Sequence, residues 1–105
     1  MKTIAGETWW NVRGHGGKMK MSLHEHRFDF EATNQAHITY TGYAVLEPTW
    51  KFSGNFSFAV GRTTFRGKIS GTLVEDPDGK YRFHRATWKQ PEQPIHNWFL
   101  DAEED

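Results

Sequence analysis

Apolar and polar residues alternate along most of this chain. In "WKFSGNFSFAV" (50–60), Trp50, Phe52, Gly54, Phe56, Phe58 and Val60 fall on one side, and Lys51, Ser53, Asn55 and Ser57 on the other. In "TTFRGKISGTLV" (63–74), Phe65, Gly67, Ile69, Gly71 and Leu73 oppose Arg66, Lys68, Ser70 and Thr72. "AHITYTGYAVL" (36–46) reads likewise, with Ile38, Tyr40, Gly42, Ala44 and Leu46 together. A period of two over such lengths predicts half-buried strands. No helix-period segment of useful length precedes residue 90.

Turn chemistry separates the strands. "ATNQA" (32–36), "VGR" (60–62) and "EDPDGKY" (75–81) carry the Gly, Asn, Asp and Pro residues that reverse a chain. With "TWWNV" (8–12), the segment 18–30 and "KYRFHRATW" (80–88), with Tyr81 and Phe83 inward, about six strands result, joined by short links. Short links imply antiparallel neighbours. The expected fold is therefore all-β: one meander over residues 1–90, curled into a small barrel or half-barrel. "KQPEQP" (89–94) ends the sheet in this reading. Residues 91–105 then pack across the barrel, with Ile95, Trp98 and Phe99 spaced for a short helical turn.

The segment "MSLHEHRFDF" (21–30) changes phase. Met19, Met21 and Leu23 are odd, whereas Phe28 and Phe30 are even, so the core-facing side switches across His24–Arg27. A bulge or sharp bend in one long strand accomplishes this. Two functional readings stay open. His24 and His26 have His-x-His metal-ligand spacing, but zinc needs a third ligand, for which His15, Glu25, His37 and His84 are the available donors. Alternatively, His24 or His26 with Glu25 or Asp29 forms an acid/base pair. No metal or cofactor is assigned.

Gly42, Gly54, Gly67 and Gly71 sit on the aromatic side of their strands. Glycine there either lets the sheet coil into a barrel or leaves room for a ligand beside large rings. "ETWWNV" and "GNFSFAVGRTTFRGKISGTLVEDPDGKYRF" (54–83) resemble the Gly/aromatic/Thr rhythm of small antiparallel barrels, the avidin- and lipocalin-like calycins and the allene-oxide-cyclase type. The lipocalin Gly-x-Trp is not met, because Gly6 precedes Trp9 by three. The resemblance implies a barrel and, by analogy, an apolar-ligand or cyclisation role.

Composition narrows the functions. The 105 residues fit one domain, and eight Phe with five Trp supply a core. The absence of cysteine removes disulfides and thiolate chemistry. No apolar run marks a leader or a membrane span, so a cytoplasmic location without membrane association is expected. Charge is zero overall but uneven: residues 51–90 hold eight Lys/Arg against three acids, and residues 91–105 hold five acids and no base. The acidic tail either solubilises the chain or docks on the basic surface. "NVRGHGGKMKM" (11–21) is glycine-rich around His15, but a strand rather than a helix follows, which disfavours a phosphate cradle.

Three functions follow as expectations. The first is a barrel binding a small, largely apolar ligand against Tyr40, Phe52, Gly54, Phe56, Phe65, Gly67, Ile69 and Phe83. The second is a protein-interaction module, with a homodimer among the expected forms. Trp9 or Trp10 must point outward from its strand, and Trp88 shares a side with Arg82 and His84; with Arg66 and Lys68 these form the candidate surface. The third is a cofactor-free isomerase or cyclase using His24, Glu25, His26 and Tyr40; no nucleophile motif is present. Nucleic acid is a weaker candidate partner, given a pI near 7.0 and no long basic groove.

Overall fold

A computed structural model describes residues 1–11 and 16–105. The chain forms eight strands: β1 (Lys2–Trp10), β2 (Gly16–Leu23), β3 (Arg27–Asn34), β4 (Thr39–Leu46), β5 (Lys51–Val60), β6 (Thr63–Glu75), β7 (Lys80–Lys89) and β8 (His96–Glu104). Each pairs antiparallel with the next, and β8 pairs with β1 to close the barrel. The meander is as the alternation predicts, but with eight strands rather than about six.

Two corrections account for the difference. The segment 18–30 is two strands, because His24–His26 form a hairpin turn closed by the His24 amide bonding the Arg27 carbonyl at 2.8 Å. The phase switch there is a chain reversal, not a bulge in one strand. Residues 91–105 do not lie across the barrel either. Trp98, Leu100 and Ala102 are buried at alternate positions of β8, and the run that suggested a helical turn is the closing strand. "KQPEQP" is thus the β7–β8 connection, not the end of the sheet.

A true bulge lies in β7. Ser70 pairs with Thr87 and Thr72 with His84, so one residue of β6 faces two of β7, and Arg85 takes φ +50°. Inward positions are Tyr81 and Phe83 before the bulge, Ala86 and Trp88 after it. Arg85 therefore turns Trp88 into the barrel.

The barrel is filled, not hollow. Phe28, Phe30, Phe52, Phe83 and Trp98 form its middle, with Phe83 and Trp98 centroids 4.4 Å apart and Phe28 and Phe52 5.1 Å apart. Trp50 stacks on Tyr81 toward the end that carries both termini. Glycines allow this density. A Cβ at Gly67 would run into the Phe56 ring, and one at Gly54 into the Tyr43 carbonyl. They serve close approach of rings and backbone rather than empty space.

Candidate functional site

At the end opposite the termini the ring packing loosens. A cavity of about 30 Å³ opens there, lined by Trp10, Phe30, Ala32, Tyr40, Phe56, Ile69, Trp88 and Trp98. Its position follows from strand parity. Trp10 ends β1, Tyr40 is the second residue of β4, and Trp88 lies one residue before the end of β7, so each stands beside the loops at this end.

The rings of this mouth are in mutual contact. Trp10 meets Tyr40 at 5.1 Å, Tyr40 meets Phe58 at 4.5 Å, and Phe58 stacks on Phe65 at 5.1 Å. On the far side Phe56 stands edge-on to Trp88, and His96 lies 4.6 Å from the Trp88 ring. Polar groups are few. Asn34 Nδ2 donates to the Tyr40 hydroxyl at 3.4 Å, and burial holds the Tyr40 phenol above its usual range, against this hydrogen bond. The Trp88 Nε1–H is buried and has no acceptor among the described residues. A buried donor without a partner costs about 1–3 kcal/mol, which makes it conspicuous in an otherwise apolar pocket.

Of the ligand wall expected from the sequence, Tyr40, Phe56 and Ile69 reach this cavity. Phe52 and Phe83 belong to the packed middle, Gly54 and Gly67 are close-approach positions, and Phe65 is 38% exposed on the β5–β6 hairpin. Trp88, expected to point outward, faces inward, and of the Trp9–Trp10 pair Trp10 is the inward ring. Trp9 is on the outer side but only 9% exposed, in register with Phe99. The closed barrel thus takes up four of the five Trp on its inner side: Trp10, Trp50, Trp88 and Trp98. Phe30, Ala32 and Trp98 complete the lining; their alternation with Phe28, Leu100 and Ala102 is the signal that places them inside.

The remaining candidates are dispersed. His24, Glu25 and His26 are exposed in the β2–β3 turn, at the end of the barrel remote from Tyr40, so the four do not form one acid/base site. His24 Nε2 lies 3.7 Å from Asp29 Oδ2, and Arg27 pairs with the same carboxylate and covers the Tyr43 ring. The Arg27 hydrogen bond holds the Asp29 carboxyl below the usual carboxylate range. No group of three or more His, Cys, Asp or Glu able to hold a metal occurs among the described residues. The glycine-rich loop around His15 falls partly outside them, with only Gly16 and Gly17 placed, in β2.

The basic surface divides. Thr72 pairs with His84 and Val74 with Arg82, whereas Lys68 pairs with Lys89. At roughly 3.3 Å per residue, Arg82 lies about 20 Å along the sheet from Lys68. Arg82 is also engaged by Asp76 at 3.1 Å. Lys89, not Arg82 or His84, joins Arg66 and Lys68. The acidic tail does not mask this group; Asp101 and Glu103 sit opposite Arg82 and Lys80 in the β7–β8 ladder. No helix among the described residues is long and apolar enough to cross a membrane. The chain matches no family model, no curated protein and no solved structure at a significant level.

Proposed function

We propose that this barrel binds a small, compact apolar molecule carrying a hydrogen-bond acceptor, at the aromatic mouth rather than along the axis. The observation that carries the reading is the Trp88 Nε1–H, buried beside the cavity without an acceptor. A carbonyl or ether oxygen placed there would satisfy it, while Trp10, Tyr40 and Phe56 contact the apolar body. This is the usual composition of a small-molecule site: mostly apolar walls with one or two placed polar groups. The volume limits the ligand, since about 30 Å³ has room for only about two waters. A methyl-sized end enters, and the rest of the molecule stands between the rim rings.

The test is a titration of ¹⁵N-labelled protein with acetophenone and with ethylbenzene, which match in shape but differ in the carbonyl acceptor. The five tryptophans give separate indole N–H resonances, assigned by substitution. The expected result is a downfield proton shift of the Trp88 indole with acetophenone only, and loss of the preference for acetophenone in Trp88→Phe. Unmoved mouth resonances with both probes would remove the reading.

A further inference from the structure

The β5–β6 hairpin projects beyond its neighbours, and its far side is an open edge. On β6, Thr63–Gly67 pair with β5, whereas pairing with β7 begins only at Lys68. No backbone hydrogen bond joins this edge to the facing 90–95 connection. A groove of about 450 Å³ runs between them, lined by Thr64, Phe65, Arg66, Gln90, Pro91 and Gln93. In an antiparallel strand every second residue directs its N–H and C=O to the same side, so this edge holds unpaired donors and acceptors in a row.

The charge beside the edge has one sign. Arg66, Lys68 and Lys89 are exposed, Lys68 and Lys89 are cross-strand neighbours, and Arg62 is at the hairpin tip. Residues 51–74 contain no Asp or Glu. The nearest acid in the facing connection is Glu92, and the ion pairs among the described residues involve none of these four cations. Like charges opposite one another in a ladder are destabilising. Phe65 and Val60, 38% and 49% exposed, add apolar contact at the same place.

From this edge and its charge we infer a β-augmentation site for an extended acidic segment of a partner protein, added as a strand along the exposed residues Thr63–Arg66. Backbone bonding supplies affinity in such complexes, and the flanking side chains supply selectivity. Charge decides the occupant. A second copy adding its own β6 edge would bring the exposed Arg66 side chains of the two copies close together, which is how edge cations prevent self-association. Acidic side chains would instead meet Arg66 across the new pair, with Lys68 and Lys89 beyond the end of the added strand. A nucleic acid would satisfy the cations but leave the strand edge unpaired. The site lies on the outside of the barrel and does not depend on ligand binding at the mouth.

The experiment uses the full-length protein and three fluorescein-labelled heptapeptides. One alternates Glu with Val and Ile, one has Lys for Glu, and one has the acidic sequence with Pro at two central positions. An oligo-dT of 20 nucleotides is the fourth probe. Expected are saturable anisotropy for the acidic peptide, at least tenfold weaker binding of the Lys and Pro peptides, and slowed hydrogen exchange confined to those amides of 63–66 that face away from β5. Arg66→Glu with Lys68→Glu, both exposed and chosen to leave folding intact, should weaken the acidic peptide at least tenfold. Equal binding of the acidic and Pro peptides would overturn strand addition, as would oligo-dT binding that outcompetes the peptide. Absence of acidic-peptide binding would overturn the site altogether.

Discussion

The ring of Phe56 stands edge-on to the indole of Trp88, centroids 5.7 Å apart and planes at 81°, and the same ring closes over Gly67. A side chain at 67 cannot be added without moving Phe56, and through it the wall of the mouth. Gly67→Ala is expected to cost about 1–3 kcal/mol as an overpacking change, read from the urea midpoint, with a change in Trp88 emission. Gly67→Val and Gly54→Val are expected to disturb the fold itself. Both are therefore poor tests of ligand binding.

The middle of the barrel should respond more strongly than the mouth. Phe28 is fully buried and packs on Phe30, Phe52 and Phe83. Phe28→Ala is expected to cost about 3–5 kcal/mol, enough to populate unfolded chain in a barrel of this size. Phe65→Ala, at a half-exposed ring, should cost about 1 kcal/mol or less. Chemical denaturation of the two variants measures the contrast.

Parity was readable wherever a strand ran without interruption. The inward sets of 40–46, 52–58 and 67–73 follow from counting twos, because one face of each strand must be buried. The site was less legible, for local reasons. Trp88 counts with Arg82 and His84 by parity, and only the extra residue at Arg85 reverses it. Nothing in "FHRATW" announces a bulge, since Arg is not a residue that favours φ above zero. His24–His26 contain no Gly, Pro or Asn, so a chain reversal resembled a kink. The apolar spacing of Ile95, Trp98 and Phe99 fits a helical turn as well as a strand, and only pairing with β1 and β7 selects the strand. The glycines carry two physical meanings in sequence, and neighbouring atoms choose between them.

Tyr81 is 1% exposed, and its hydroxyl has no close hydrogen bond among the described residues, although Lys2 and Glu75 are near enough to act on it through charge and side-chain hydrogen bonding. Burial, followed by the Glu75 charge, raises its pKa above the ordinary tyrosine value, against the lowering influence of Lys2. A raised phenol pKa means that the folded state holds its proton longer than the unfolded chain. The associated stability is complete below the unfolded value of about 10 and is lost as pH rises through the folded value. Tyr81→Phe should therefore change neutral-pH stability by no more than ~1 kcal/mol. It should also flatten the alkaline fall in stability, measured by urea midpoints between pH 7 and 11.

β8 is a wall of the barrel, and its removal tests that directly. It pairs on one side with β7 and on the other with β1, and contributes buried Trp98, Leu100 and Ala102. Truncation after Pro94 is expected to abolish cooperative unfolding and dispersed amide resonances. A tail serving only solubility would leave both intact. Neutralising Glu103, Glu104 and Asp105 without shortening the strand should change stability by less than about 0.5 kcal/mol, as for other surface substitutions.

The bulge at Arg85 is the single residue on which the composition of the mouth depends. With φ +50°, Arg85 occupies a region that a residue with a Cβ enters at a cost of about 1–2 kcal/mol. Arg85→Gly removes that cost and is expected to be neutral or stabilising by up to ~1 kcal/mol, the gain being reduced by the greater freedom of glycine in the unfolded chain. Arg85→Val, β-branched and ill suited to positive φ, should destabilise by about 1 kcal/mol or more. Deleting Arg85 has a different consequence. The β7 ladder would then run on without the extra residue, and Ala86 and Trp88 would turn outward while Thr87 and Lys89 turned in. Either the strand re-forms its bulge at a neighbouring residue, or the barrel places a lysine among Phe56, Ile69 and Trp98. The deletion is therefore expected to lower stability by several times the Val substitution and to shift Trp88 emission to the red. A deletion variant with wild-type emission and midpoint would mean that the inward position of Trp88 does not depend on Arg85.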